Sequence, residues 1–392
     1  MTTAHATPDL APPLDSSLPH DDRYGRARLW VGITGVGAWV VLASAILIYG
    51  LPFGWYDAMP VDTALGVLLQ CVVVYAVVQA PFDFLGGWYL PRRYGRSTPG
   101  LPAFLARWGR GVLVHGALLL AVAALVTVAG RAGGVLGVIV LAVPIVALLL
   151  AFRATLAACV ARLALGPVWR HPGGMPERAV HVGDESFTGG ITGLWRPRCS
   201  LIPDRWSVVL DDDGLRLARA RRRIAAASGL WGRGRAVAIG FTLVGVVLAA
   251  VLVGPGDIGT VGGTVELSLW FTLWSFLGLL TLPTLSRRAV AQLDRSLLDE
   301  GFPPETLAAT SRTLNAMQDG EPARPGAVEA IFHPIPSLAN RAATPAASPS
   351  RFAAWDAART AVYLSAAGLG LLGRAVHCNA GKPALWVFLP TD

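Results

Sequence analysis

The sequence predicts an α-helical integral membrane protein. It should have about six transmembrane helices and a cytosolic, mainly helical domain carrying a small strand element. Three observations predict this. Charged residues make up only 15% of the 392 residues while 53% are hydrophobic, against about 25% charged in an average soluble domain. Several uncharged apolar runs are each long enough to cross a bilayer at 1.5 Å rise per residue. Basic residues sit in alternate loops, as cytoplasmic loops require. The net charge of +8 therefore belongs to topology and not to nucleic-acid binding. Of the 33 basic residues only Lys382 is a lysine, a compositional bias that lowers the weight of any single arginine.

Residues 1–28 are rich in Pro, Ser, Asp and Thr and read as a disordered tail. They are not a cleavable signal peptide, because Arg23, Arg26 and Arg28 come late and the apolar run after them is too long. Residues 29–152 hold four transmembrane helices, over 29–51, 63–81, 112–129 and 135–152, the last with Pro144 as a kink. Residues 153–235 form the first cytosolic part, with short strands at 178–182 and 199–203 around a Gly-rich stretch, 187–194. The run 210–229 then reads as one helix. Asp211 or Asp212 caps its first turn, Leu217, Ala220, Ile224 and Ala227 recur at helical spacing, and Gly229 stops it. Two more spans fill 236–286, over 236–253 and 267–285, with Pro283 near the end of the second. The second cytosolic part, 287–341, contains helices around 287–300 and 304–318. An Ala/Pro/Ser linker covers 342–351, and 352–392 reads as a C-terminal helix (352–376) and tail. Arg359 and Arg374 leave that helix too short an uncharged stretch for a span, so it belongs against the membrane surface or the bundle.

Loops 52–62 and 254–266 contain no Arg or Lys, whereas loop 82–111 carries Arg92, Arg93, Arg96, Arg107 and Arg110. Both termini and the main loops are thus expected in the cytosol, with the protein in a bacterial inner (cytoplasmic) membrane. The cysteines, Cys71, Cys159, Cys199 and Cys378, are scattered without a CxxC pair, so neither a disulfide framework nor a zinc knuckle is indicated.

The order of parts over residues 60–341 resembles the integral-membrane zinc endopeptidases of the CAAX prenyl protease and HtpX group, which are gluzincins. The stretch from Phe84 through Leu90-Pro-Arg-Arg-Tyr-Gly-Arg-Ser97 looks like that group's N-terminal motif. Phe187-Thr-Gly-Gly-Ile191 and Ser200-Leu-Ile-Pro-Asp-Arg-Trp206 are similar to the strand and turn before its metal helix. Ser286-Arg-Arg-Ala-Val-Ala-Gln-Leu-Asp294 looks like its Ser-Arg…Glu-x-x-Ala-Asp helix, and His333-Pro334…Arg341 is similar to its His-Pro…Arg motif. The resemblance implies a gluzincin-like cytosolic domain and, in the family, a zinc cofactor.

The chemistry of that group needs H-E-x-x-H, two imidazoles one helical turn apart for zinc and a Glu that activates the bound water. Laid on this helix without a gap, the motif falls on Arg221, Arg222 and Ala225, and the family's third ligand falls on Val290. Residues 211–229 hold no His or Glu in any register. A guanidinium has no lone pair to offer and stays protonated. The catalytic set is therefore absent, no metal is expected, and only Asp294, His333 and Arg341 are retained from the family's motifs.

Other chemistry is thin. His171, His181, His333, His377 and Cys378 lack ligand spacing, and His115 near a span end reads as a packed residue. Ser207 and Ser228 have no nearby base, and Gly189-Gly190 and Gly262-Gly263 are not phosphate loops. The arginine cluster reads as a solvated cytosolic face, or as a structural replacement in which an Arg fills the vacated metal site and pairs with Asp294. Nucleic-acid binding is disfavoured because no aromatic residues interleave the run. The functional expectation is a pseudoprotease scaffold or regulator without zinc or proteolysis. Its partners would be membrane lipids and membrane proteins or peptides, with no nucleic acid. An active endopeptidase with a rearranged site and a lipid- or small-molecule-binding membrane protein are the alternatives.

Overall fold

The computed structural model describes residues 22–96, 99–170, 174–194, 198–318, 321, 323–343 and 350–391. Most of the expected tail and linker, together with Ser97 and His171, lies outside these residues. Helix α1 (Asp22–Tyr49) begins inside the expected tail. The helix starts this early because two side chains in its first turns have partners: Arg28 donates to the His377 carbonyl at 2.6 Å, and the Arg96 guanidinium lies over the Tyr24 ring.

Helix α2 (Val61–Phe84) runs on through a π-helical turn (Leu85–Tyr89) into the short α3 (Leu90–Arg93). Helix α4 (Leu101–Ala151) is broken at Gly134, whose φ of 57° and ψ of −145° no L-residue adopts without strain. A Cβ at Gly137 would collide with the Ala129 carbonyl, so the chain doubles back there as two antiparallel arms. Helix α5 (Arg153–Ala161) follows. A four-stranded sheet comes next: β1 (Ala164–Trp169), β2 (Glu177–His181), β3 (Gly190–Thr192) and β4 (Cys199–Pro203). Its order is β1-β2-β4-β3, with β2 and β4 parallel and the outer pairs antiparallel. The two inner strands match expectation. The edge strands were not foreseen, since Gly166-Pro167 interrupts β1 and β3 is three residues long, and proline is tolerated only at an edge.

After α6 (Trp206–Val209) and α7 (Asp212–Ala227) come α8 (Leu230–Val253) and α9 (Val261–Asp299). The expected span 267–285 and helix 287–300 are one continuous helix. Its 39 residues extend about 58 Å at 1.5 Å per residue, well beyond a hydrocarbon core of about 30 Å. Pro283 does not end it, because a buried stripe of Ala289, Val290, Leu293 and Leu297 continues the helical face past the proline. Helices α10 (Pro304–Met317), α11 (Gly326–Phe332) and α12 (Leu338–Ala343) complete this part. Among the described residues five helices are long and apolar enough to cross a membrane. Their outward faces carry Val77, Leu113 and Val251, each more than 60% exposed.

The C-terminal segment departs most from expectation. Helix α13 covers only Ala357–Ala367, shorter than expected, and lies between α8 and α9, the bundle placement of the two expected. Residues 368–391 are almost wholly buried although they contain only one short helical turn (Pro383–Leu385). The segment descends with α13 to Leu369, whose carbonyl accepts from Ser268 Oγ at 2.5 Å. It then returns to the sheet, where Thr391 N donates to Thr188 Oγ1 at 3.1 Å. Irregular backbone can be buried only if its polar groups find partners. Here they do: Thr272 Oγ1 accepts from Leu371 N at 3.1 Å, and Arg153 donates twice to the Val387 carbonyl at 3.0 and 2.9 Å. Close approach is permitted by Gly86 and Gly87 in the π-helical turn, where any Cβ would overlap the Ala380 and Gly381 carbonyls.

The segment is fastened by Asp83 of α2. This fully buried carboxylate pairs with Arg374, itself 1% exposed, and accepts from Gly381 N at 3.0 Å, Trp108 Nε1 at 2.9 Å and Gln79 Nε2 at 3.1 Å. Asp83→Asn should leave the Arg374 charge buried without its counter-ion and cost about 3–5 kcal/mol. A lower unfolding midpoint in detergent, restored in part by Asp83→Asn with Arg374→Met, is the expected result.

Candidate functional site at the arginine-rich helix

Helix α7 forms where local chemistry dictates. Asp211 caps it by accepting from Gly214 N at 2.8 Å, Asp212 and Asp213 lie in the first turn, and Gly229 follows at φ 79°. Its arginines then divide by helical angle. Arg216, Arg219 and Arg223 point outward and pair with Asp213, Glu177 and Glu300. Arg221 and Arg222 point inward and are buried.

Arg221 forms an ion pair with Asp294 of α9, as the replacement reading expects. Arg341 grips the same carboxylate, Nε to Oδ2 at 2.8 Å and Nη2 to Oδ1 at 2.7 Å. That fork-to-fork geometry is the strongest a guanidinium offers. Asp294 thus joins α7, α9 and α12. Arg222 is fully buried and turns the other way. It donates to the Leu201 carbonyl at 2.6 Å, to Ser200 Oγ at 3.2 Å and to the Thr188 carbonyl, with its guanidinium 4.7 Å from the Trp206 ring centre. It therefore ties the helix to β4 and to the loop before β3. Ala225 and Val290 share a dry apolar cluster with Ile224 and Leu293. Arg221, Ala225, Val290, Asp294 and Arg341 are thus collected at one place, and their contacts are side-chain packing and ion pairs.

His333 lies apart from that pair but beside Arg341. Its carbonyl, with those of Glu329 and Ala330, accepts from Arg287 Nη1 at 3.0, 2.9 and 2.7 Å, which satisfies the end of α11. Its ring stands 4.9 Å from that of His377 at 56°. Both rings, Arg341, Arg324 and Cys378 line a cavity of about 30 Å³, room for roughly two waters by the usual measure.

The other candidates disperse. His181 Nδ1 is 2.6 Å from Asp204 on the surface. His115 is buried and bonds the Ala366 carbonyl at 2.8 Å, a packed residue as expected. Ser207 Oγ donates to the Asp204 carbonyl at 2.7 Å. Among the described residues no three His, Cys, Asp or Glu side chains converge as a metal site would need.

Sequence reasoning missed Asp83, Arg374 and Lys382. The signal was present: an acid inside an apolar run and an arginine inside another are unusual enough to suggest each other. Lys382 meets Ser186 and lies 3.8 Å from Asp184. Burial alone would raise the Asp184 carboxyl, but Lys382 and two hydrogen bonds from Ser186 hold it below the usual carboxylate range. The chain matches no protein-family model and no curated protein.

Two substitutions at this site, one on α9 and one on α7, separate buried from exposed chemistry. Asp294→Asn should destabilise by about 3–5 kcal/mol, since it leaves two enclosed guanidinium groups facing an amide. Arg223→Ala breaks only an exposed pair and should change stability by less than about 1 kcal/mol. Denaturant titration of the two variants in the same detergent compares them.

Proposed function

We propose that this protein is a non-hydrolytic membrane scaffold of gluzincin-like descent, a pseudoprotease. One observation carries the reading: Asp294 is clamped between Arg221 and Arg341, while Ala225 and Val290 pack dry where the family would place ligands. A guanidinium neutralises a carboxylate and joins helices, but it cannot ligate zinc or activate water. Supporting it, the C-terminal segment fills the space among the helices, and cavities among the described residues measure about 10, 30 and 40 Å³. Client membrane proteins or peptides would therefore engage the outer surface and not an internal chamber.

In this reading the two arms of α4 each cross the bilayer, giving six crossings with both termini and the sheet in the cytosol. Arginine-free loops 52–62 and 254–266 support that orientation. α13 and its irregular return then form a re-entrant element. Such backbone is tolerated at membrane depth only when it is enclosed in protein, as here.

The nearness of His333 to His377 favours a second reading, an active endopeptidase with a rearranged metal site. Elemental analysis of the purified full chain, with a peptide-cleavage assay run with and without chelator, decides between them. Zinc far below one per chain and no chelator-sensitive cleavage are expected. Stoichiometric zinc with chelator-sensitive cleavage, both lost in His333→Ala/His377→Ala, would establish the second reading in place of the first.

A further inference from the structure

Charge is distributed unevenly along the chain. Residues 84–176 contain nine arginines and not one Asp or Glu. Arg131 bonds the Gly259 carbonyl at the α4 turn, Arg153 is buried 3.7 Å from Asp356, and Arg96 reaches the Ala316 carbonyl. The other six, Arg92, Arg93, Arg107, Arg110, Arg162 and Arg170, are exposed, and none forms an ion pair among the described residues.

Three of the six rim one junction. Arg110 Nε donates to the Cys159 carbonyl at 2.8 Å, which fixes the first arm of α4 to α5 three residues before Arg162. The Arg107 guanidinium lies against Gly183, where an added Cβ would stand 3.2 Å from Nη1. Gly183 follows β2, and His181 of β2 pairs with Ala164, two residues after Arg162. The acid next to Gly183, Asp184, is already engaged by Lys382 and Ser186.

The height of this junction follows from helix geometry. A hydrocarbon core of about 30 Å takes about 20 helical residues. Counted from the Gly134 turn, both arms leave the core near residues 114 and 154. Arg110 and Arg107 then lie one and two turns beyond it, and the Cys159 bond brings Arg162 to the same level. Leu113, 75% exposed, and Phe152, 55% exposed, flank the junction on the core side.

We propose that Arg107, Arg110 and Arg162 seat the phosphate of an anionic glycerophospholipid of the cytosolic leaflet. Guanidinium forks match phosphate oxygens, and Leu113 and Phe152 adjoin the acyl chains. The proposal rests on the membrane-spanning reading of α4, not on the loss of hydrolysis, so a zinc-loaded enzyme would leave it standing.

The test uses the full chain in a neutral detergent, titrated with phosphatidylglycerol, phosphatidylcholine or inorganic phosphate. Thermal unfolding and native mass spectrometry are the readouts. Phosphatidylglycerol should raise the unfolding midpoint saturably and remain bound in the mass spectrum, while the other two should do neither. Arg107→Gln/Arg110→Gln/Arg162→Gln should weaken retention by about tenfold or more. Arg131→Gln, on the opposite loop, should match the wild type. Arg162→Gln alone removes an exposed group and serves if the triple variant fails to fold. Unchanged retention in the variants, or equal stabilisation by phosphatidylcholine, overturns the proposal. Equal stabilisation by inorganic phosphate overturns the lipid and leaves a soluble-anion site.

Discussion

The pairing of Asp83 with Arg374 is the constraint on which the remaining architecture depends. Neither group can lie inside a helical bundle alone, because removing an ion from water costs several kcal/mol. Together, with Trp108, Gln79 and the Gly381 amide completing the carboxylate's shell, they become tolerable. The pair joins residues 291 positions apart. Once made, it commits the C-terminal segment to the interior, and helices α1, α2, α4, α8 and α9 must pack around that segment.

A second ionic knot, on Asp294, plays the same part outside the bundle. There the carboxylate has two guanidinium partners and stays partly accessible to water. Arg222 provides a third fastening through carbonyl oxygens, a hydroxyl and an indole face. Arginine is suited to this because its planar, delocalised charge stacks and donates at once. The compositional bias toward arginine therefore has structural consequences in this fold.

Much of this was legible in the sequence for physical reasons. Uncharged runs announce apolar helices, Asp211 and Gly229 announce the ends of α7, and buried carboxylates attract arginines, hence Arg221 with Asp294. What stayed hidden depends on distant partners. Residues 352–376 read as a helix and the rest as a tail, and the burial of 368–391 rests on distant partners such as Asp83, Arg28, Arg153, Ser268 and Thr272. Strand β3 carries too few residues to show a period, and the continuity of α9 past Pro283 is decided by packing against α7. The pairing of His333 with His377 is likewise a tertiary product that no spacing along the chain could reveal.

The length of α9 has a mechanical corollary. Ser268 and Thr272 near one end hold the turn of the C-terminal segment, and Asp294 near the other end holds the arginine knot. From Ser268 to Asp294 the helix acts as a stiff rod of about 39 Å. Pivoting that rod by about 5° would carry its far tip roughly 3 Å, about the length of one hydrogen bond. Any agent that leans on the buried turn thus has leverage over Arg221 and Arg341 without touching either.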